Sequence, residues 1–253
     1  MTTQGREPAD PIQARGTDES EWRSWAGWDA LPECALPTEG RAVVVAAHPD
    51  DEVLGFGGSI SLLAAAGVEL TVVSVTDGER SHPDSRAVTP ESLARVRAEE
   101  TRAALSELGA PGAEVIRLHV PDTDVAAHED QVAAALTETL AGAVLCAAPW
   151  TGDIHADHEA AGRAARTAAG AVGVPCLLYP VWMWHWAHPD DSRVPWADAA
   201  RITLPPTTLA RKAAAINCFT SQISPLGPEP GDSAILPPEE IAHHLRTSEV
   251  VFR

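Results

Sequence analysis

The chain has 253 residues, 45% of them hydrophobic and 21% charged, which fits one large globular domain and shows no composition break that would argue for two. Its 36 acidic against 18 basic residues leave a formal net charge of −18, so nucleic acid and anionic membrane surfaces are poor partners. No apolar stretch is long enough to span or insert into a membrane, and the N-terminus lacks the basic start and apolar core of a signal peptide.

Residues 1–17 are polar and carry Pro8 and Pro11, the composition of a loose arm. Trp22, Trp25 and Trp28 then recur every third residue between Asp18 and Ala30, which places three rings on one face of a short helix. That stripe suits a helix docked on the domain body better than a platform for sugar stacking. Residues 1–40 are therefore expected to be an N-terminal arm with a Trp-rich helix, and 41–253 a single domain.

From residue 41 short apolar runs alternate with helical patterns. The expected strands are Arg41–Ala47, Glu69–Val75, Glu114–His119, Ala143–Pro149, Pro175–Val181 and Arg201–Leu204. Most are uninterrupted Val, Leu, Ile and Ala, as strands covered on both faces require. Helices fit over Gly58–Ala66, Pro90–Leu108, Glu129–Ala141, Asp157–Ala171, Thr207–Ile216 and Pro238–Arg246. The second has the clearest grammar. Thr89 suits the N-cap, Pro90 the first turn, Leu93, Val96, Leu105 and Leu108 an apolar stripe, and Gly109 the C-terminal stop. Such alternation predicts an α/β, mainly parallel, Rossmann-like sheet with helices on both faces.

Cys34, Cys146, Cys176 and Cys218 are scattered and form no CxxC pair, which argues against disulfides or a cysteine-bound metal and for a cytoplasmic location.

Two clusters carry chemistry. Ala47-His48-Pro49-Asp50-Asp51-Glu52 follows the first strand, and Asp153-Ile154-His155-Ala156-Asp157-His158 begins three residues after the run ending at Trp150. Charge this dense at a strand end is costly unless it is paired, hydrogen-bonded or bound to a cation. In an open parallel sheet both clusters belong on the rim where ligands bind. Pro49 restricts the turn so that His48 and Asp51 can address one point, and the three-residue spacing leaves His155 and His158 on one side of a helix start. Two imidazoles and one carboxylate suffice for a zinc ion that keeps a position for water, whose pKa the metal lowers to about 7. Asp50 and His155 are then left over as a base for the water and a donor to the oxyanion.

The strand–AHPDDE–glycine segment together with the distal HxDH resembles the PIG-L/LmbE-like family of zinc-dependent N-acetylglucosaminyl de-N-acetylases. The resemblance runs from Arg41 to the helix after His158. It implies that His48, Asp51 and His158 hold one Zn2+ per chain, with Fe2+ as the alternative metal. It further implies that Asp50 is the general base, that His155 stabilises the tetrahedral intermediate or donates to the leaving amine, and that Asp157 helps tune or orient His155. The family usually has proline where Ala156 stands, a position that supplies no ligand atom. Known members deacetylate N-acetylglucosamine carried on inositol, phosphatidylinositol, malate or glycopeptide antibiotics, so the implied partner is a small amino-sugar conjugate. The competing functions are an amidase for a mycothiol-like conjugate and a non-hydrolytic nucleotide-binding module. Gly55-Phe56-Gly57-Gly58 does not match G-x-G-x-x-G, and helix–strand packing accounts for it better.

Arg80 and His82, after the second strand, and Trp182 and His185, after the fifth, are the expected substrate contacts. The string Ala-His-Pro-Asp-Asp recurs at Ala187–Asp191 without a preceding strand, and there it predicts an ordinary turn. His119, His128, His243 and His244 have no partner apparent in sequence and are expected at the surface or the core edge. Nothing in the sequence sets an oligomeric state.

Overall fold

The apolar runs form one sheet. The computed structural model describes residues 11, 12 and 14–253, and among these seven strands pair. They are β1 (Arg41–Ala46), β2 (Glu69–Thr76), β3 (Glu114–Val120), β4 (Leu145–Pro149), β5 (Cys176–Tyr179), β6 (Ala199–Thr203) and β7 (Ser248–Phe252). Their order is β3-β2-β1-β4-β5-β7-β6. The first five run parallel, and β7 lies antiparallel to both β5 and β6. Six strands match those expected; β7 was not foreseen, because its apolar part is only Val250-Val251-Phe252 at the chain end.

The helices are α1 (Glu19–Arg23), α2 (Asp51–Ala66), α3 (Pro90–Glu107), α4 (Glu129–Leu140), α5 (Ala156–Val172), α6 (Met183–Trp186), α7 (Pro206–Ile216), α8 (Thr220–Ile223) and α9 (Pro238–His243). Alternate residues of β1 divide the core. Val43 and Val45 pack with α4 and α5, whereas Ala42 and Val44 pack with α2, α3 and α7. Both faces are thus covered, which is why the strand sequences show no polar alternation.

Two glycines set how closely helices approach the strand ends that carry the motifs. A Cβ on Gly55 would stand 2.1 Å from the Tyr179 ring of β5, and one on Gly162 would stand 2.3 Å from the Pro149 carbonyl of β4. The glycine-rich segment therefore lies inside α2, which starts at Asp51, seven residues before the expected Gly58. No phosphate-type loop exists there. On α3 the Thr89 cap forms as expected, with Ser92 completing a capping box. Val96, however, is 40% exposed, and Arg97 is buried on the inward face in its place.

Near the N-terminus the tryptophan helix stops at Arg23 and continues as a 3₁₀ turn over Ala26–Ala30. The three indoles pack on the body: Trp22 donates to the Trp184 carbonyl at 2.8 Å, and Trp25 to Asp190 at 2.8 Å. The expected loose arm is corrected for residues 14–17, which are bonded to the segment around His185; residues 1–10 and 13 lie outside the described ones. His243 and His244 are likewise buried and bonded, to Glu19 and to the Leu54 carbonyl. Among the described residues no helix is long and apolar enough to cross a membrane.

Candidate active site

The strand order places the two clusters side by side. The chain leaves β1 toward β2 and β3, then returns to β4 on the other flank of β1, so the β1/β4 crevice is the point where the winding reverses. His48, Asp50 and Asp51 follow β1, and Asp153 to His158 follow β4.

Nδ1 of His48 lies 3.3 Å from Nε2 of His158 and 3.5 Å from Asp51 Oδ2, and His158 Nε2 lies 3.2 Å from Asp51 Oδ1. A tetrahedral ion with bonds of about 2.0–2.1 Å needs ligands roughly 3.3 Å apart, which these spacings match. The far nitrogen of each ring is held by carboxylates. Asp157 Oδ2 and Asp122 Oδ1 each lie 3.2 Å from His48 Nε2, and Asp153 Oδ2 lies 2.7 Å from His158 Nδ1. Both rings are therefore oriented with their inner nitrogens facing one carboxylate, and a cation between them would displace a proton to take an electron pair from each. The donor set, two imidazoles and a carboxylate, fits zinc or another divalent metal.

Two other groupings come within 4.8 Å: His48, His155 and His158, and His48, Asp122 and Asp157. The second is better read as the outer shell of His48. Asp157 also accepts from the Thr123 and Val125 amides, and Asp122 from the Arg80 amide, which fixes both as orienting acceptors. Asp153 is similarly pinned by the amides of Val181, Trp182 and Met183.

Asp50 takes φ of +126°, unusual for a residue with a Cβ and typical of strain held at working sites. The guanidinium of Arg97, on α3, holds that turn by donating to the Pro49 carbonyl and, at 2.9 Å, to Asp50 Oδ2. Burial lifts the Asp50 carboxyl to about 7 against the pull of Arg97, with Asp51 pushing the same way. Burial and the neighbouring Asp50 lift Glu52 to about 8. Burial works against the cationic form of His158, yet Asp51 and Asp153 raise it to about 9. His155 goes down to about 3, through burial and then the charges on His158 and His48; its Nδ1 is buried without a partner among the described residues.

A cleft of about 480 Å³ opens over these groups, lined by His48, Asp50, Asp51 and His155 among others. Of the expected substrate contacts, Arg80, Trp182 and His185 line it. His82 does not: it is buried and faces Ser81 and the Ser233 carbonyl. His185 reaches the cleft with both nitrogens engaged, Nδ1 by Glu240 at 2.6 Å and Nε2 by the Ala14 carbonyl at 2.9 Å. Asp157 lies against His48 Nε2 and two amides, so it orients His48, while its charge acts on His155 without a direct hydrogen bond. Sequence reasoning missed Asp122 and Arg97 and gave Asp153 no role. For Arg97 a signal existed: it stands four residues after Leu93, on the apolar stripe.

Residues 43–169 match the family model described as PIG-L, GlcNAc-PI de-N-acetylase. The chain is 43% identical over 75 residues to the 1D-myo-inositol 2-acetamido-2-deoxy-alpha-D-glucopyranoside deacetylase of Actinosynnema mirum, a match covering 27% of this chain and 26% of that protein. It is 27% identical over 139 residues to the diacetylchitobiose deacetylase of Thermococcus kodakarensis, covering 53% and 51%. The chain thus spans about half or less of the length of these two relatives. Among solved structures, the A40926 pseudoaglycone deacetylase superposes with a TM-score of 0.58 over 84% of this chain and 96% of that one, at 21% identity, which is a likeness of fold.

Proposed function

The chain belongs to the PIG-L, GlcNAc-PI de-N-acetylase family, and from that premise we propose that it is a metal-dependent hydrolase removing the N-acetyl group from an N-acetylglucosamine-type amino-sugar conjugate. The observation that carries the proposal is the convergence of His48 Nδ1, Asp51 and His158 Nε2 within 3.2–3.5 Å, each ring oriented from behind by a carboxylate. These three would hold one divalent ion, zinc or ferrous iron. Such an ion, when bound, supplies Lewis acidity to the acetamide carbonyl and to the attacking water.

The remaining steps fall to side chains. Asp50, lifted to about 7, can both accept and release a proton near neutral pH. It takes a proton from the water as the oxygen adds to the carbonyl carbon. It then returns that proton to the nitrogen as the C–N bond breaks, leaving acetate and a free amine. Arg97 holds Oδ2, which leaves Oδ1 to carry the proton. His155, whose pKa burial lowers, acts as a hydrogen-bond donor to the developing oxyanion. Asp157 and Asp122 set the ring of His48, and Asp153 that of His158.

Acetate release from N-acetylglucosaminides tests the proposal. Release that chelation abolishes and added zinc restores is the expected result; full activity after exhaustive metal removal would contradict it.

A further inference from the structure

The cleft has two unlike halves, and the sheet order separates them. Most of its polar lining comes from the loops after β1, β2, β3 and β4, which carry Asp50, Ser81, Asp122 and His155. Its apolar lining comes from the β5 flank. Val181 and Trp182 follow β5, Ile235, Leu236 and Pro237 lead into α9, and Ile12 arrives from the N-terminal segment. The polar side chains on that flank bond one another: His185 pairs with Glu240 at 2.6 Å, and Gln222 Nε2 donates to Ser221 Oγ at 3.1 Å.

Residues 14–17, which follow close behind Ile12, are held by a built joint. His185 Nε2 faces the Ala14 carbonyl, the Thr17 amide donates to the His185 carbonyl at 2.8 Å, and Thr17 Oγ1 donates to the Ala187 carbonyl at 2.6 Å. Gly16 lies flat on the His185 ring, where a Cβ would stand 2.4 Å from Nδ1. Just beyond, Glu19 is clamped by His243 and Arg246. Because His185 also meets Glu240, one buried ring joins the N-terminal segment, α6 and α9.

We propose that residues 14–17 form a fixed strap that, with Ile12, completes an aglycone site, and that the cleft takes an amino sugar with an apolar alkyl or aryl aglycone in preference to a polyol. The inference rests on the cleft being the amino-sugar site proposed above. An alkyl chain buried against these six side chains leaves water, whereas a polyol placed there gives up water for a flank whose polar side chains, His185, Gln222 and Glu240, already hydrogen-bond to protein groups.

Calorimetry on the metal-loaded, full-length protein tests this with free-amine glycosides, which cannot turn over. The octyl β-D-glucosaminide, below its micellar concentration, is compared with the methyl and inositol glucosaminides. The octyl compound should bind at least tenfold tighter than either. Gly16→Ala, which lifts the strap off His185, should weaken octyl binding at least fivefold and leave methyl binding within twofold. Ile12→Asp should also erase the octyl preference. Equal affinities for the three glycosides, or a preference that survives both substitutions, overturns the inference. Acetate release from octyl N-acetylglucosaminide, the favoured aglycone, is followed separately; its absence would overturn the hydrolase proposal while the calorimetric comparison still decides this one.

Discussion

Ala-His-Pro-Asp-Asp stands at Ala47–Asp51 and again at Ala187–Asp191, and the two copies adopt related turns. In each, the fifth residue donates its amide to the histidine carbonyl, Asp51 to His48 at 3.3 Å and Asp191 to His188 at 3.0 Å. In each, the fourth residue has positive φ, +126° at Asp50 and +60° at Asp190. Their surroundings differ completely. His48 is enclosed by His158, Asp122 and Asp157, whereas the His188 side chain is 61% exposed and its Nδ1 turns to the neighbouring Pro189 carbonyl. Asp191 clamps Arg193, and Asp190 accepts from Trp25, so the second copy fastens the N-terminal segment. A short string dictates its own turn, while chemistry depends on which strand end it caps and what the opposite loop brings.

The contrast breaks most sharply at the bases and ligands. Asp50→Asn should lower kcat about a thousandfold with metal content unchanged, the size typical of losing a positioned base; steady-state kinetics beside elemental analysis checks it. His155→Ala should cost about a hundredfold in kcat with little change in bound metal, as for one oxyanion donor. Asp153→Asn removes the acceptor behind His158 and should weaken metal binding by about 10- to 100-fold, read in a competitive chelator titration.

Smaller effects belong to the scaffold. Burial works against ionised Glu19, but hydrogen bonds from His243 and Arg246 win and lower it from its ordinary 4.5 to about 2. A depressed carboxyl stabilises the fold fully above about 4.5 and loses that contribution as pH falls toward 2. Glu19→Gln should therefore flatten the acid limb of a stability-against-pH curve in that window. Asp190→Ala should cost at least about 1 kcal/mol in denaturant unfolding, through the lost Trp25 bond and the strain of Ala at positive φ, and leave kcat/KM unchanged. His188→Ala should change neither activity nor stability by more than about 0.5 kcal/mol.

Much of this was legible in the order of residues. Continuous apolar runs exposed six strands because burial on both faces removes polar alternation, and the two acidic–imidazole clusters stood out as charge at strand ends. Helix–strand packing was the right reason for the glycines, since a Cβ on Gly55 would strike Tyr179 and one on Gly58 would strike Leu204, but the helix they belong to starts at Asp51 and takes in the acidic residues as well. Asp122 could not be found, since one aspartate in a polar turn becomes meaningful only when β3 sets it against His48. Arg97 was hidden by the habit of reading arginine as solvated; inside α3 its partner is a carboxylate 47 residues away. His82 erred the other way, reaching the correct rim and then turning to Ser233.

The central claim is that His48, Asp51 and His158 share one divalent ion, and titrating the metal-stripped protein with zinc tests it most directly. One ion per chain is predicted for the unaltered protein and for His188→Ala, with binding lost in His158→Ala. Unchanged zinc binding in His158→Ala, or loss of binding in His188→Ala, would contradict it.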